Sequence, residues 1–292
     1  MANLKVLKNR IASVKSTRKI TKAMQMVAAA KLRRAQEAAE ASRPYTERFN
    51  AVMAGLAASV GGSDSAPKLL SGTGSDQVQL LIVMTSERGL CGGFNTNIVK
   101  KAKAFAQAQL AAGKTVKILT VGKKGRDQLK REYSEHLIGH VDMSDVKRLS
   151  YADAQGVAKD VLARFDGGEF DVATLFYASF VNVVSQIPQA QQIIPAKFED
   201  EGADTGATTL FDYEPSEEAI LADLLPRGVA TAIFSGLLEN AASEQGARMS
   251  AMDNATRNAG DMIDSLTIQY NRSRQAVITN ELIEIISGAE AL

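Results

Sequence analysis

The chain has 292 residues, of which 45% are hydrophobic, yet aromatics make up only 5% and Trp is absent. That balance excludes a bulky aromatic core, and a formal net charge of +1 excludes recruitment of a partner by bulk charge. The single cysteine, Cys91, excludes an intrachain disulfide and fits a reducing compartment.

From Met1 to about residue 59 the sequence reads as one long, Ala-rich helix. Leu4, Leu7, Ile11, Val14, Arg18, Thr21, Gln25, Ala28, Leu32, Ala35 and Ala39 recur at alternating steps of three and four, a heptad-like seam interrupted by Arg18 and Gln25. Pro44 is expected to bend or locally break the helix. No apolar h-region follows Met1, and the run Leu80–Met84 is far too short to span a bilayer, so a cytosolic or membrane-peripheral protein is expected. The first 34 residues carry ten Lys or Arg and no Asp or Glu. A solvated face is the bland explanation, but cations at this density repel one another unless an acidic partner compensates. Nucleic acid is disfavoured because Met1–Arg34 lacks aromatics for stacking. An anionic membrane is disfavoured because the apolar strip is narrow and a second helix would occupy it. Acidic protein surfaces are the most economical partner.

The middle of the chain, 76–198, changes period. Gln77–Thr85 is a β-rich apolar run, followed by a Gly-rich turn and a helical stretch over Asn95–Ala112. Thr115–Val121 reads as a strand, Lys123–Tyr133 and Tyr151–Phe165 as helices, and Phe170–Phe180 and Val183–Ile194 as further strands. Strands alternating with helices predict a mostly parallel sheet covered on both faces. Small polar linkers, 61–75 and 199–209, flank this region.

The third region, 210–292, repeats the helical pattern of the first, 1–60. Pro215-Ser216-Glu217-Glu218 signals its start, with acids suited to a helix N-terminus, and Gly288 its stop. Pro226 is expected to kink it or to split off a short first piece. Met249, Met252, Thr256, Ala259, Ile263, Leu266, Tyr270, Ser273, Val277, Asn280 and Glu284 form its seam. The turns Val277–Ile286 are apolar on more than one face, which suits insertion into a partner. The fold class expected is a long antiparallel coiled coil of the N- and C-terminal helices plus a central Rossmann-like α/β domain.

Candidate chemistry is thin. Thr85–Asn95 follows a strand and opens a helix, where α/β proteins seat phosphates, but it lacks G-x-G-x-x-G, so a tight structural turn is favoured. Gly113-Lys114-Thr115 ends like a phosphate-binding loop, but Ala108 stands where Gly is required and a strand follows. Cys91 as a nucleophile lacks a local His signature, so a buried thiol is the better reading. His136 and His140 could hold a metal on a helix, yet Glu135–Val141 contains Gly139 and reads as loop or short strand. Nothing assembles a nucleophile, base and oxyanion donors, so no catalysis by this chain alone and no cofactor are expected. A coiled-coil scaffold with a recognition module and a phosphate-binding enzyme with a helical arm stand as alternatives.

Four runs are more specific. Ile11–Arg34, Glu87–Asn95 (ERGLCGGFN), Glu239–Met252 and Tyr270–Ala289 resemble, in order and spacing, the signatures of the gamma-subunit family of F-type ATP synthases, in its bacterial type. The resemblance implies a non-catalytic rotor whose paired helices form a shaft inside a ring of three alpha and three beta subunits. It places the α/β domain at the foot, beside the epsilon subunit and the c-ring, with ATP chemistry on the beta subunits. By the same resemblance Met24, Arg274, Gln275 and Thr279, with Glu281 and Glu284 beside them, touch alpha and beta. Lys8, Arg10, Lys15, Lys19, Lys31 and Arg33 would then face acidic beta-subunit loops, and Tyr213 and Glu214 the foot near the c-ring and epsilon. Location would be peripheral, on the cytoplasmic face of a bacterial inner membrane. Ala196–Phe211 is short and Cys-free, which excludes the thiol control of the chloroplast type.

Overall fold

The computed structural model describes residues 4–60, 67–197 and 217–290. In chain order the elements are α1 (Leu4–Val60), α2 (Lys68–Ser71), β1 (Val78–Met84), α3 (Phe94–Ala111), β2 (Thr115–Val121), α4 (Lys123–Leu129), β3 (Leu137–Val141), α5 (Tyr151–Asp166), β4 (Val172–Phe180), β5 (Gln186–Ile194) and α6 (Glu217–Glu290). A 3-10 turn, Ser134–His136, leads into β3. The chain divides into two compact units, Met1–Ala29 with Arg248–Leu292, and Ala30–Ala247.

The larger unit holds a five-stranded sheet in the order β3-β2-β1-β4-β5, parallel throughout except for β5, which pairs antiparallel with β4 at the edge. β1 is central, and all of it after Val78 is buried, as the apolar run Leu80–Met84 requires of a parallel strand covered on both faces. Alternation then sorts its side chains. Leu80, Ile82 and Met84 pack with Ala154, Val157 and Val161 of α5 and Val229, Ile233 and Leu237 of α6. Leu81 and Val83 face Phe94, Ile98, Val99, Ala102 and Ala106 of α3. A third cluster joins Met53 and Leu56 of α1 to Leu221 and Leu225 of α6. β5 can hold Pro188 because it has a strand on one side only.

Two glycines of α6 set how closely it lies on β4. A Cβ at Gly236 would come within 2.8 Å of Leu175 Cδ2, and one at Gly246 within 2.9 Å of Phe180 Cε2. Gly122, between β2 and α4, is more constrained still: φ is +96° and a Cβ would sit 2.1 Å from the Thr85 carbonyl oxygen.

In the smaller unit α1 and α6 pair antiparallel along the anticipated seam. Thr21 and Thr256 hydroxyls meet at 2.7 Å, Gln25 Nε2 donates to Asp253 Oδ1 at 2.9 Å, and Arg18 lies against Gly260. Leu7, Ala28, Met252, Ala259, Ile263 and Leu266 are buried at the remaining steps. Of the two interruptions, Gln25 is a partnered polar contact across the seam, and Arg18 is exposed beside Gly260.

The structure departs from the sequence expectations at several points. Pro226 neither splits nor shortens α6, which is helical from Glu217; Leu221, Leu225, Val229 and Ala230 are buried around it and offset its lost hydrogen bond. Pro44 likewise lies inside an unbroken α1. Gly288 does not stop α6, which runs to Glu290. The linker 61–75 contains α2, and the strand expected from Val183 begins at Gln186 because Asn182–Ser185 closes a turn. Asn280 and Glu284 are exposed and not seam residues. The register puts Leu4 level with about Ser273, so α6 continues past the described end of α1.

Candidate functional site

The terminal pair is the part of the molecule whose surface is not explained by its own packing. Residues 1–29 and 248–292 carry eleven Lys or Arg against six Asp or Glu, a formal +5, which leaves −4 for residues 30–247 under the total of +1. Lys8, Lys15 and Lys22 each follow a seam residue of α1 by one position, so they line one flank of the seam, with Lys19 beside them. Arg10 lies on the opposite flank. Lys8, Arg10, Lys15 and Lys19 are all exposed, and none is in an ion pair with a described residue; Lys22 spends its ammonium on Gln25 Oε1 at 3.0 Å. Like charges so spaced along one flank repel one another.

Beyond Ser273 the overhang of α6 extends roughly 25 Å, taking 1.5 Å per residue. Ile278, Leu282, Ile283, Ile285 and Ile286 are half or more exposed there, on several faces of the helix. Covering the five would contribute on the order of 5 kcal/mol, about half of the full value per side chain. Arg274, Gln275, Thr279, Glu281 and Glu284 lie on this same overhang and are exposed, while Met24 is half-buried on α1. Sequence reasoning missed a second apolar strip, Val6, Ile20, Met26 and Val27, exposed on the face of α1 away from the seam. Its signal was available: apolar residues off the heptad positions of a helix that has only one partner.

In the larger unit Lys31 and Arg33 are exposed on α1, and Arg33 reaches Glu37 at 3.1 Å. Tyr213 and Glu214 lie outside the described residues.

The residues weighed for chemistry have structural partners. In the strand-to-helix turn, Ser86 N–H donates to Asn95 Oδ1 at 2.9 Å, and Asn95 Nδ2 donates to Ser86 Oγ at 2.8 Å and Cys91 Sγ at 3.2 Å. Glu87 accepts from the N–H groups of Lys123 and Met143, and Thr85 Oγ1 accepts from Gly125 N–H at 2.7 Å. The amides of Lys123, Lys124 and Gly125 at the start of α4 are thus bonded to oxygens of this turn. Cys91 is buried, His136 Nδ1 lies 3.0 Å from the Val116 carbonyl, and His140 Nδ1 lies 3.0 Å from Thr120 Oγ1. These contacts do not bring the thiol together with either imidazole. Lys114 pairs with Asp76 at the rim of an open cavity of about 790 Å³.

One window of α6 has the mean hydropathy of a membrane span, 1.4, and 44% of that window is buried inside the structure. The surface therefore asks for protein partners along two helices rather than for a small ligand.

Comparison with known proteins gives the same direction. A family model described as ATP synthase matches residues 3–292. The ATP synthase gamma chain of Roseobacter denitrificans is 82% identical over 292 residues, and that of Ruegeria pomeroyi 79%, each comparison covering 100% of both chains. A chain of the Tetrahymena thermophila mitochondrial ATP synthase central stalk and c-ring superposes with a TM-score of 0.60 at 27% identity, covering 81% of this chain and 99% of that one. A chain from the Euglena gracilis mitochondrial ATP synthase shares the fold, with a TM-score of 0.72 at 20% identity over 99% of this chain and 94% of that one. With a family model spanning nearly every residue and relatives matched end to end, the chain belongs to the ATP synthase gamma-chain family.

Proposed function

We propose that this chain is the central rotor stalk of an ATP synthase, carrying torque between a proton-driven c-ring and a catalytic ring of alpha and beta subunits without catalysing ATP turnover itself. The single observation that carries this reading is the overhang of α6, whose apolar side chains are half or more exposed on several sides. In this reading a 3:3:1 complex closes around the terminal pair, epsilon and the c-ring engage the foot, and the whole sits peripherally on the cytoplasmic face of a bacterial inner membrane.

The contact residues are assigned in the same way. Met24, Arg274, Gln275, Thr279, Glu281 and Glu284 touch alpha and beta. The exposed cations Lys8, Arg10, Lys15, Lys19, Lys31 and Arg33 face acidic loops of beta, which relieves their mutual repulsion, and Tyr213 and Glu214 belong to the foot. Function follows from asymmetry. A shaft that presents different residues to each beta subunit stabilises a different state of each, and about 1.4 kcal/mol of differential contact changes a nucleotide affinity about ten-fold. Rotation then converts contact energy into sequential binding and release.

Reconstitution with cognate alpha and beta subunits tests the reading. Native mass spectrometry should find a 3:3:1 complex with steady ATPase activity, and Arg274→Glu or Gln275→Leu should weaken assembly or torque transfer while leaving the isolated chain folded. No complex with the unmodified chain would refute the rotor; wild-type synthesis and hydrolysis in both variants would refute the contact assignment.

A further inference from the structure

β4 outlasts its parallel neighbour. Pairing between β1 and β4 ends at Val83 with Phe176, whereas β4 continues to Phe180, held there by β5 on its other side alone. Alternate residues of a strand turn their N–H and C=O groups to the same neighbour. Ala178 and Phe180 thus turn theirs to the side where β1 has run out. Ala178 is buried, so unmade main-chain bonds there are costly.

Side chains of α6 fill the vacancy. Ala178 N–H donates to Asn240 Oδ1 at 3.2 Å, and Ser243 Oγ donates back to the Ala178 carbonyl at 2.9 Å. Phe180 N–H donates to Glu239 Oε2 at 2.8 Å, and Ser179 Oγ reaches the same oxygen at 3.4 Å. Asn240 and Ser243 are buried. Burial, and then the neighbouring Glu239 carboxylate, push the Tyr177 phenol above its usual range, as a charged Glu239 lying over this strand requires. The close approach that Gly236 and Gly246 permit brings these side chains within reach. In effect, two successive turns of a helix stand in for a strand.

We propose that Glu239, Asn240 and Ser243 form a main-chain clamp that positions α6 on the overhanging end of β4 and passes torsional load between the sheet and this helix. Apolar contacts between a helix and a sheet tolerate sliding, because any nearby groove buries similar area. Hydrogen bonds to fixed main-chain groups do not, since a displacement of about 1 Å breaks them. The inference rests on the rotor reading and adds where load enters α6.

The test uses whole ATP synthase in inverted membrane vesicles. The variants are Glu239→Ala with Asn240→Ala, the acceptor-preserving pair Glu239→Gln with Asn240→Asp, and Ser243→Ala. Two rates are compared: ATP hydrolysis by the detached catalytic complex, where the foot carries no load, and ATP-driven proton pumping, where it does. The double alanine variant should keep hydrolysis near wild type and lower pumping per ATP, because losing two such bonds shifts the clamped-to-released ratio about ten-fold. The acceptor-preserving pair should restore the ratio. If the double alanine variant does not assemble, Ser243→Ala must lower pumping per ATP as well, since loss of one bond shifts the clamped-to-released ratio about three-fold. An unchanged ratio, a parallel fall in both rates, or no rescue overturns the clamp. A normal complex with unchanged coupling would leave the rotor standing and refute only the clamp, whereas no complex with the unmodified chain would refute the rotor.

Discussion

Gly122→Ala should be among the most damaging single-methyl changes in the unit Ala30–Ala247. Gly122 has φ +96° and ψ 137°, a region that residues with a Cβ avoid at a cost of about 1–3 kcal/mol. The added Cβ would lie 2.1 Å from the Thr85 carbonyl oxygen and 2.8 Å from its carbon. Neither can withdraw easily. Thr85 N–H is bonded to the Val121 carbonyl at 2.8 Å, and Thr85 Oγ1 holds Gly125 N–H at 2.7 Å, so moving this backbone breaks the exit of β1 and the start of α4. Overpacking of this kind adds about 1–3 kcal/mol, for a total near 4 kcal/mol. At about 2–4 °C per kcal/mol for a unit of this size, the melting temperature should fall by roughly 8–16 °C. Two controls separate the causes. Gly113 has φ +77° with nothing within 4 Å of a Cβ, so Gly113→Ala should cost only about 1–2 kcal/mol. Gly156 is exposed in α5 with open space around it, so Gly156→Ala should gain about 1 kcal/mol from helix propensity. Calorimetry of the three purified variants decides the matter. A Gly122→Ala melt within a few degrees of wild type, or one no lower than Gly113→Ala, would refute the steric argument.

Two further predictions follow from the packing and the charges. Leu266→Ala, at a buried seam position, should weaken the terminal pair by about 2–4 kcal/mol, while deleting everything after Val277 should change it by less than about 0.5 kcal/mol; amide exchange of residues 4–29 measures both, and loss of protection on truncation would contradict the register. Burial raises the pKa of Asp171, but hydrogen bonds from Thr73, Val78, Ser75 and Gln77 outweigh it, so the folded value lies below the ordinary 3.8. Its contribution is thus fully present above the unfolded pKa and lost as pH falls through the lower folded one. Unfolding free energies of the wild type and Asp171→Asn should therefore converge as pH drops through that window, and a gap independent of pH would refute the linkage.

The seam of α1 and α6 was legible because burial on a helix repeats with period, and period survives in the sequence even where Thr21 or Gln25 replaces an apolar residue. β1, β2 and α5 were legible for the same reason. β3 was harder: Leu137–Val141 is half-buried throughout, contains Gly139, and carries the register irregularity against β2, so no alternation marks it. The outcome at Pro226 was not legible, because it depends on side chains packed around the proline and not on local propensity. The clamp on β4 was invisible for a related reason. It depends on how far one strand outlasts its neighbour, a fact of register that residues 239–243 do not encode locally. Of the residues proposed to touch the ring, Arg274, Gln275 and Thr279 were legible as members of one helix from the periodic seam around them. That this stretch lies beyond the described end of α1 required the antiparallel register.

The polar contacts in the terminal seam have a mechanical meaning. An all-apolar pair of helices resembles two greased rods, since a shift by one heptad buries nearly the same area. Here the hydroxyl pair Thr21–Thr256 and the bond from Gln25 to Asp253 act as keys in a spline. A slip of either helix along its axis would break both contacts across the seam and leave each side chain only its partner on its own helix, which favours this register over its neighbours. Their contribution is axial indexing: they make the two helices advance and twist as a single part.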